Sequence, residues 1–206
     1  MKTIRMAVLL SGGGRTLQNF IDLAGSGGLP VRISLVVSSR PGVPGLAKAE
    51  AAGVPTQVIT AKGKPVEAFS REVTAALDAV RPEVICLAGF LSFYHIPPQY
   101  EGKVLNIHPA LLPAFGGKGM YGHHVHEAVL AAGCKVSGCT VHFADNVYDH
   151  GPIIVQKTVP VLEDDTPDSL ADRVFQQELT AYPEAVRLFA EGRLRIEGRR
   201  VRVLPG

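Results

Sequence analysis

The 206 residues suit one domain, or one with a small extension, and 46% hydrophobic against 19% charged residues describe a chain with a core rather than a disordered one. Basic and acidic residues nearly balance, 21 against 19, so electrostatics gives no reason to expect nucleic acid as a partner, while a small anionic ligand stays open. The apolar run at residues 6–10 is too short for a signal-peptide core or a membrane span. Cys86, Cys134 and Cys139 lack a CxxC spacing and read as reduced core thiols, so a cytoplasmic protein away from membranes is expected, as a monomer or homodimer.

Apolar runs rich in β-branched residues recur at 4–10, 31–37, 56–59, 84–88 and 104–107, and helical spacing of apolar positions covers 16–24, 45–52 and 65–79. That alternation predicts an α/β fold of βαβ units around a mostly parallel central sheet with helices on both faces. After Ile107 the pattern changes. A Gly- and His-rich loop at 113–124 precedes a helix that starts near His126 and stops at Gly133, and strand-like runs follow at 137–144 and 152–161. Thr166, followed by Pro167 and Asp168, reads as an N-cap with Pro at the first helical position, opening the longest helix, to residue 191. Runs at 193–196 and 200–204 flank Glu197-Gly198-Arg199 and predict a closing hairpin. With no repeat, low-complexity tract or linker, a single domain over 1–206 is expected.

The first strand runs into Ser11-Gly12-Gly13-Gly14-Arg15-Thr16 just before a helix. Glycines let the backbone turn tightly and approach a ligand, and the free amides at a helix start favour a phosphate. A tight turn alone would also account for the glycines; the place of the loop after the first strand, where open α/β sheets bind ligands, favours the anion site. A dinucleotide fingerprint would need a third glycine where Leu17 stands and an acidic residue near 34–39, and a P-loop would need Gly-Lys-Ser or Gly-Lys-Thr. All are missing, so NAD and ATP are not expected.

Asn106-Ile107-His108-Pro109 ends an apolar strand, and alternation puts Asn106 and His108 on one side with Ile107 on the other. An amide and an imidazole so placed can donate hydrogen bonds to an oxygen that gains negative charge. Asp149 lies in a turn-forming stretch, 146–152. A carboxylate beside His108 could help move a proton, but spacing alone does not bring the two together.

Taken as a set, Ser11-Gly12-x-Gly14, Leu87-Ala88-Gly89-Phe90, Asn106-Ile107-His108-Pro109-Ala110-Leu111-Leu112-Pro113, Val141-His142-Phe143 and Asp149-x-Gly151-Pro152-Ile153-Ile154 resemble, in order, the glycinamide ribonucleotide formyltransferase family of folate-dependent enzymes. The resemblance runs from residue 4 to about 195. It implies a Rossmann-like formyltransferase fold, with the nucleotide phosphate held on the glycine loop, Gly12, Gly13 and Gly14, in an N-terminal half of about 1–100; Arg15 and Thr16, which open the helix after it, are expected to contact the same phosphate. The folate would lie in a cleft between that half and a catalytic C-terminal half of about 101–206.

The resemblance further implies that Asn106, His108 and Asp149 are the catalytic trio, acting by direct transfer with 10-formyltetrahydrofolate as co-substrate and without a metal. Leu87, Gly89, Phe90, Leu91, Ala144, Asp145 and Tyr148 would line the folate pocket, and Glu178 would hold the ribose of glycinamide ribonucleotide. Departures from the family pattern fall at Arg15-Thr16, where Ser-Asn is usual, at Ser92, where an Arg is frequent, and in a longer, glycine-rich loop at 115–122. They bear on substrate affinity and identity.

His123, His124 and His126 have no carboxylate or cysteine spaced for a tetrahedral set and read as loop and helix start; His142 reads as a structural or supporting histidine. Two relatives with the same trio fit the length less well. Formyltetrahydrofolate hydrolases usually carry a regulatory domain before the glycine loop, and methionyl-tRNA formyltransferases add a basic C-terminal domain. A non-catalytic folate- or nucleotide-binding protein is the alternative from another class, and the intact trio speaks against it.

Overall fold

The computed structural model describes residues 2–206, with two compact units, 2–105 and 106–206. Nine strands and five α-helices lie among the described residues. In the first unit β1 (Ile4–Leu10), α1 (Arg15–Gly25), β2 (Val31–Ser38), α2 (Pro44–Ala51), β3 (Thr56–Val58), α3 (Val66–Val80) and β4 (Val84–Leu87) alternate as the sequence predicts. Its strands lie in the order β3-β2-β1-β4, and every pair is parallel: Ile4 registers with Val31, Met6 with Val84 and Val36 with Thr56. Met6 to Leu10 have no exposed surface, as expected of a parallel strand covered on both faces. The buried positions of α3, Phe69, Val73, Ala76 and Leu77, recur at helical spacing, and α3 packs against β2.

β5 (Val104–His108) crosses the boundary and ends in the second unit. There α4 (His123–Ala131), β6 (Val136–Phe143), β7 (Ile153–Pro160), α5 (Pro167–Ala190), β8 (Leu194–Glu197) and β9 (Arg200–Val203) follow. β6 and β7 are antiparallel, β8 and β9 form the expected C-terminal hairpin, and β9 joins β7 in parallel where Ile153 meets Arg200. α5 packs on β6 and β7 through a face that buries Leu170, Val174, Ala181, Tyr182 and Val186.

Two local readings change. α4 opens at His123, three residues before the expected start, because Gly122 at φ 56 turns the chain into the helix; His126 is thereby buried at 3% exposure beside Val125 and Val129 instead of lying at a surface helix start. Cys86 and Cys139 are buried core thiols, whereas Cys134, just past the end of α4, is half-buried; none of the three is in a disulfide.

The start of α5 is fixed twice. Thr166 and Ser169 form a reciprocal capping box, Ser169 N donating to Thr166 Oγ1 at 3.2 Å and Thr166 N to Ser169 Oγ at 3.0 Å. Arg173, two turns in, grips the Asp165 carboxylate with both arms at 2.6 and 2.7 Å, and that carboxylate is only 2% exposed. Arg173 foremost, with the Leu162 amide and Ser169, holds the Asp165 carboxyl well below the ordinary range against the opposing effect of burial. A depressed carboxyl pKa contributes stability above the unfolded value and loses it as pH falls toward the folded one. Arg173→Ala should therefore cost about 1.5–3 kcal/mol at neutral pH. In urea titrations the gap between variant and parent should narrow below about pH 4, where the unfolded carboxyl titrates.

Candidate active site

The strand end that carries Asn106 and His108 aims both side chains to one side, as alternation predicts, and the loop between β6 and β7 brings Asp149 to them. Asp149 Oδ2 lies 3.5 Å from His108 Nδ1, and Oδ1 accepts from Asn106 Nδ2 at 3.3 Å. Asp149 stands at φ 52, in the left-handed region, with its carboxylate 11% exposed, and Gly117 N donates to Oδ2 at 3.0 Å. The loop closes so tightly that a Cβ on Gly151 would run into the Phe143 carbonyl, which leaves glycine as the residue that fits.

Hydrogen-bond logic fixes the ring states around this carboxylate. His142 Nδ1 faces its neighbour's carbonyl, Phe143 O, at 2.8 Å and must carry the hydrogen, so Nε2 is the acceptor for Asn106 Nδ2 at 3.1 Å. Burial pushes the His142 pKa down, more than the Phe143 carbonyl and the Asp149 charge push it up, so the ring stays neutral in that role. His108 Nε2 faces Phe115 O at 2.8 Å and must carry a hydrogen toward it, while Nδ1 faces Asp149 Oδ2 at 3.5 Å. Asn106 thus has both amide hydrogens directed at acceptors, one at His142 and the weaker one at Asp149. The sequence marks His142 as merely supporting; the available signal was a lone imidazole inside the otherwise apolar Val141-His142-Phe143.

The glycine loop belongs to the first unit. Gly14, at φ 67, is the N-cap of α1, and a Cβ on it would come within 2.6 Å of Gly45 Cα on α2. Arg15 and Thr16 open the helix, Arg15 exposed and Thr16 half-buried, and no acidic residue lies in the first turn. Ser11 ties this loop to the stretch after β4: its amide donates to Gly89 O at 3.0 Å, and its hydroxyl, bonded to Ser39 Oγ at 2.5 Å, accepts from Leu91 N at 2.9 Å. Leu87 and Phe90 are half-buried, Phe90 stacking on Phe69, while Gly89 and Leu91 are exposed.

In the second unit Ala144 and Asp145 are half-buried and Tyr148 is exposed, all on the loop that carries Asp149. Glu178 is half-buried on α5; burial first, then the Glu178 charge, pushes the Cys139 thiol up to about 12. No group of three or more His, Cys, Asp or Glu side chains suited to a metal occurs among the described residues. No helix among them is long and apolar enough to cross a membrane.

Amide, imidazole and carboxylate converging at a strand's carboxyl end, with no Ser or Cys nucleophile among them, define a site for stabilising a developing oxyanion and moving a proton. The Formyl transferase family model matches residues 4–186. The chain is similar to the trifunctional purine biosynthetic protein adenosine-3 of Drosophila melanogaster, 43% identical over 193 residues, which cover 91% of this chain and 14% of that protein. It is also similar to the chloroplastic phosphoribosylglycinamide formyltransferase of Arabidopsis thaliana, 37% identical over 195 residues, or 93% of this chain and 67% of that one. The chain thus spans less than a fifth of the trifunctional relatives, 14% of the Drosophila protein and 19% of the Gallus gallus one.

Among solved structures, glycinamide ribonucleotide transformylase 1 from Symbiobacterium toebii matches with a TM-score of 0.91 at 43% identity, over 98% of this chain and 95% of that one. A formyltetrahydrofolate deformylase from Pseudomonas syringae, 23% identical with a TM-score of 0.86, shares the fold. The chain belongs to the formyl transferase family.

The buried imidazoles set an acid limit on stability. His142 and His126 are both pushed below the ordinary 6.5, burial being the first cause in each, with the charges of His123 and His108 adding to it at His126. The unfolded chain then binds protons that the folded chain refuses, so this stability is complete above about pH 6.5 and declines as pH falls. For His142→Gln the stability measured by denaturation from pH 7 to 5 should fall less steeply than the parent's, by up to about 1.4 kcal/mol per pH unit.

Proposed function

We propose that this chain transfers the formyl group of 10-formyltetrahydrofolate to the amine of glycinamide ribonucleotide, a step of de novo purine synthesis. The observation that carries the proposal is the meeting of Asn106, His108 and Asp149 at the end of β5, supported by the similarity to the Arabidopsis phosphoribosylglycinamide formyltransferase and the Symbiobacterium glycinamide ribonucleotide transformylase. The amine nitrogen bonds to the formyl carbon, and the carbonyl oxygen takes the negative charge. Asn106 turns toward that oxygen the hydrogen it gives Asp149 across the longer contact, with Nδ2 at 3.3 Å from Oδ1, and the His108 ring shares the hydrogen it otherwise gives Phe115 O. Asp149 faces the ring at 3.5 Å and takes part in carrying the proton from the amine to the departing folate nitrogen as the old carbon–nitrogen bond breaks. These donors are fixed by the fold before the charge develops, which is what makes them effective.

The glycine loop at the start of α1 takes the substrate phosphate, with Gly12, Gly13 and Gly14 giving close backbone approach and Arg15 and Thr16 adding side-chain donors. Residues 87–91 and 144–148 line the folate site, Glu178 binds the ribose hydroxyls, and no metal takes part. The three cysteines, none in a disulfide, suit a reducing compartment such as the cytoplasm. The same trio could direct a water instead of an amine. Release of tetrahydrofolate with and without glycinamide ribonucleotide separates the two: dependence on the acceptor supports transfer, and release without it would establish hydrolysis.

Asn106→Ala and His108→Ala should each lower kcat by about 10²–10³ with little change in substrate binding, the loss typical of one oxyanion donor. Wild-type turnover in either folded variant would remove that residue from the mechanism. For Arg15→Ala, the KM for glycinamide ribonucleotide should rise by about one to two orders of magnitude, as for a charged hydrogen bond of roughly 1.5–3 kcal/mol, while saturated turnover and the folate KM stay put.

A further inference from the structure

The turn of the C-terminal hairpin reaches the loop that carries Asp149. Arg199 Nη1 lies 2.6 Å from His150 Nε2, and Nη2 donates to the His150 carbonyl at 3.0 Å. A guanidinium can only donate, so His150 Nε2 bears the lone pair and the ring hydrogen sits on Nδ1, which donates to Asp145 Oδ2 at 2.8 Å. The other oxygen of Asp145 accepts from Val147 N at 2.9 Å. The loop is thereby tied across its base by its own carboxylate and held from outside by a two-pronged grip on the residue that follows Asp149. Arg199 is itself set in place by the pairing of its neighbour Arg200 with Ile153 of β7.

Asp149 needs such a hold. At φ 52 a residue with a side chain resists its own backbone conformation and keeps it only where the surroundings impose it. We propose that Arg199 is a positioning residue for the reaction: through His150 and Asp145 it keeps the loop in the one shape that sets the Asp149 carboxylate against His108 and Asn106. An exposed hydrogen bond contributes little to stability by itself, and the work here is geometric, since the guanidinium fork fixes both the ring and the main chain of His150.

The proposal rests on the transfer reaction argued above, and the test separates the two. In Arg199→Ala, kcat should fall by about ten- to hundredfold, the scale on which misplacing a catalytic group acts, while the KM for glycinamide ribonucleotide holds. Millimolar guanidinium should restore part of the lost kcat. His150→Gln, which keeps a donor for Asp145 and an acceptor for Arg199, should retain most of the parent's turnover. Independently of activity, amide hydrogen exchange at Val147 and Gly117, whose N–H groups bond to Asp145 and Asp149, should speed up in Arg199→Ala. A kcat within about twofold of the parent's, a loss that guanidinium does not rescue, or unchanged exchange at both amides would overturn the proposal. Should the parent itself fail to transfer formyl, the function proposed above falls, and the exchange comparison still decides whether Arg199 shapes the loop.

Discussion

The carboxylate of Asp149 is the constraint on which the site is built. At 11% exposure it has lost most of its water, and a charge so placed is stable only when donors replace that water. They come from one stretch of chain that lies 32 to 43 positions before it: the Gly117 amide from the loop after β5, the Asn106 amide from the strand itself, and His108 Nδ1 facing it at 3.5 Å. Satisfying the carboxylate therefore aligns the amide and the imidazole at the same time. The left-handed backbone at Asp149 and the missing side chain at Gly151 are the local distortions that this convergence requires.

The neighbouring imidazoles divide the work by environment. His142 is buried, neutral and hydrogen-bonded through Nδ1 to its neighbour's carbonyl, which turns its Nε2 lone pair on Asn106 and settles which end of that amide is nitrogen. His108, equally buried, has an acceptor at each nitrogen and so is suited to carry a proton. Two histidines within one small volume thus hold opposite roles, an acceptor and a donor, because one faces a donor and a carbonyl while the other faces a carbonyl and a carboxylate. A polar network of this kind is rigid only when each member is satisfied, and substrate oxygen can enter it by competing for hydrogens already aimed.

In the first unit the decisive contact is between backbones. Gly14 and Gly45 lie so close that a methyl group on Gly14 would reach Gly45 Cα at 2.6 Å, and Gly45 N donates to Gly12 O at 3.1 Å. That contact, with the positive φ at Gly14, sets where α1 begins and leaves Arg15 and Thr16 at its opening turn. The bonds from Ser11 to Gly89 and Leu91 then tie the ends of β1 and β4 together. Two glycines and a serine, unremarkable by composition, hold the loop in shape.

Several features were settled by the sequence alone. Alternation in β5 put Asn106 and His108 on one face, the Thr166-Pro167 cap opened α5 at the residue expected, and turn residues marked the hairpin; each depends on interactions over a few residues, which local steric and hydrogen-bonding rules govern. The family motifs were likewise readable because they are contiguous. Tertiary structure decided the rest. Asp149 meets Asn106 across 43 positions in the chain, and His142 turns toward Asn106 across 36. The early start of α4 buries His126, and a hairpin turn grips His150 from 49 residues away. No periodicity or cap encodes such meetings, because they follow from how separate segments pack and which buried polar groups then find a partner.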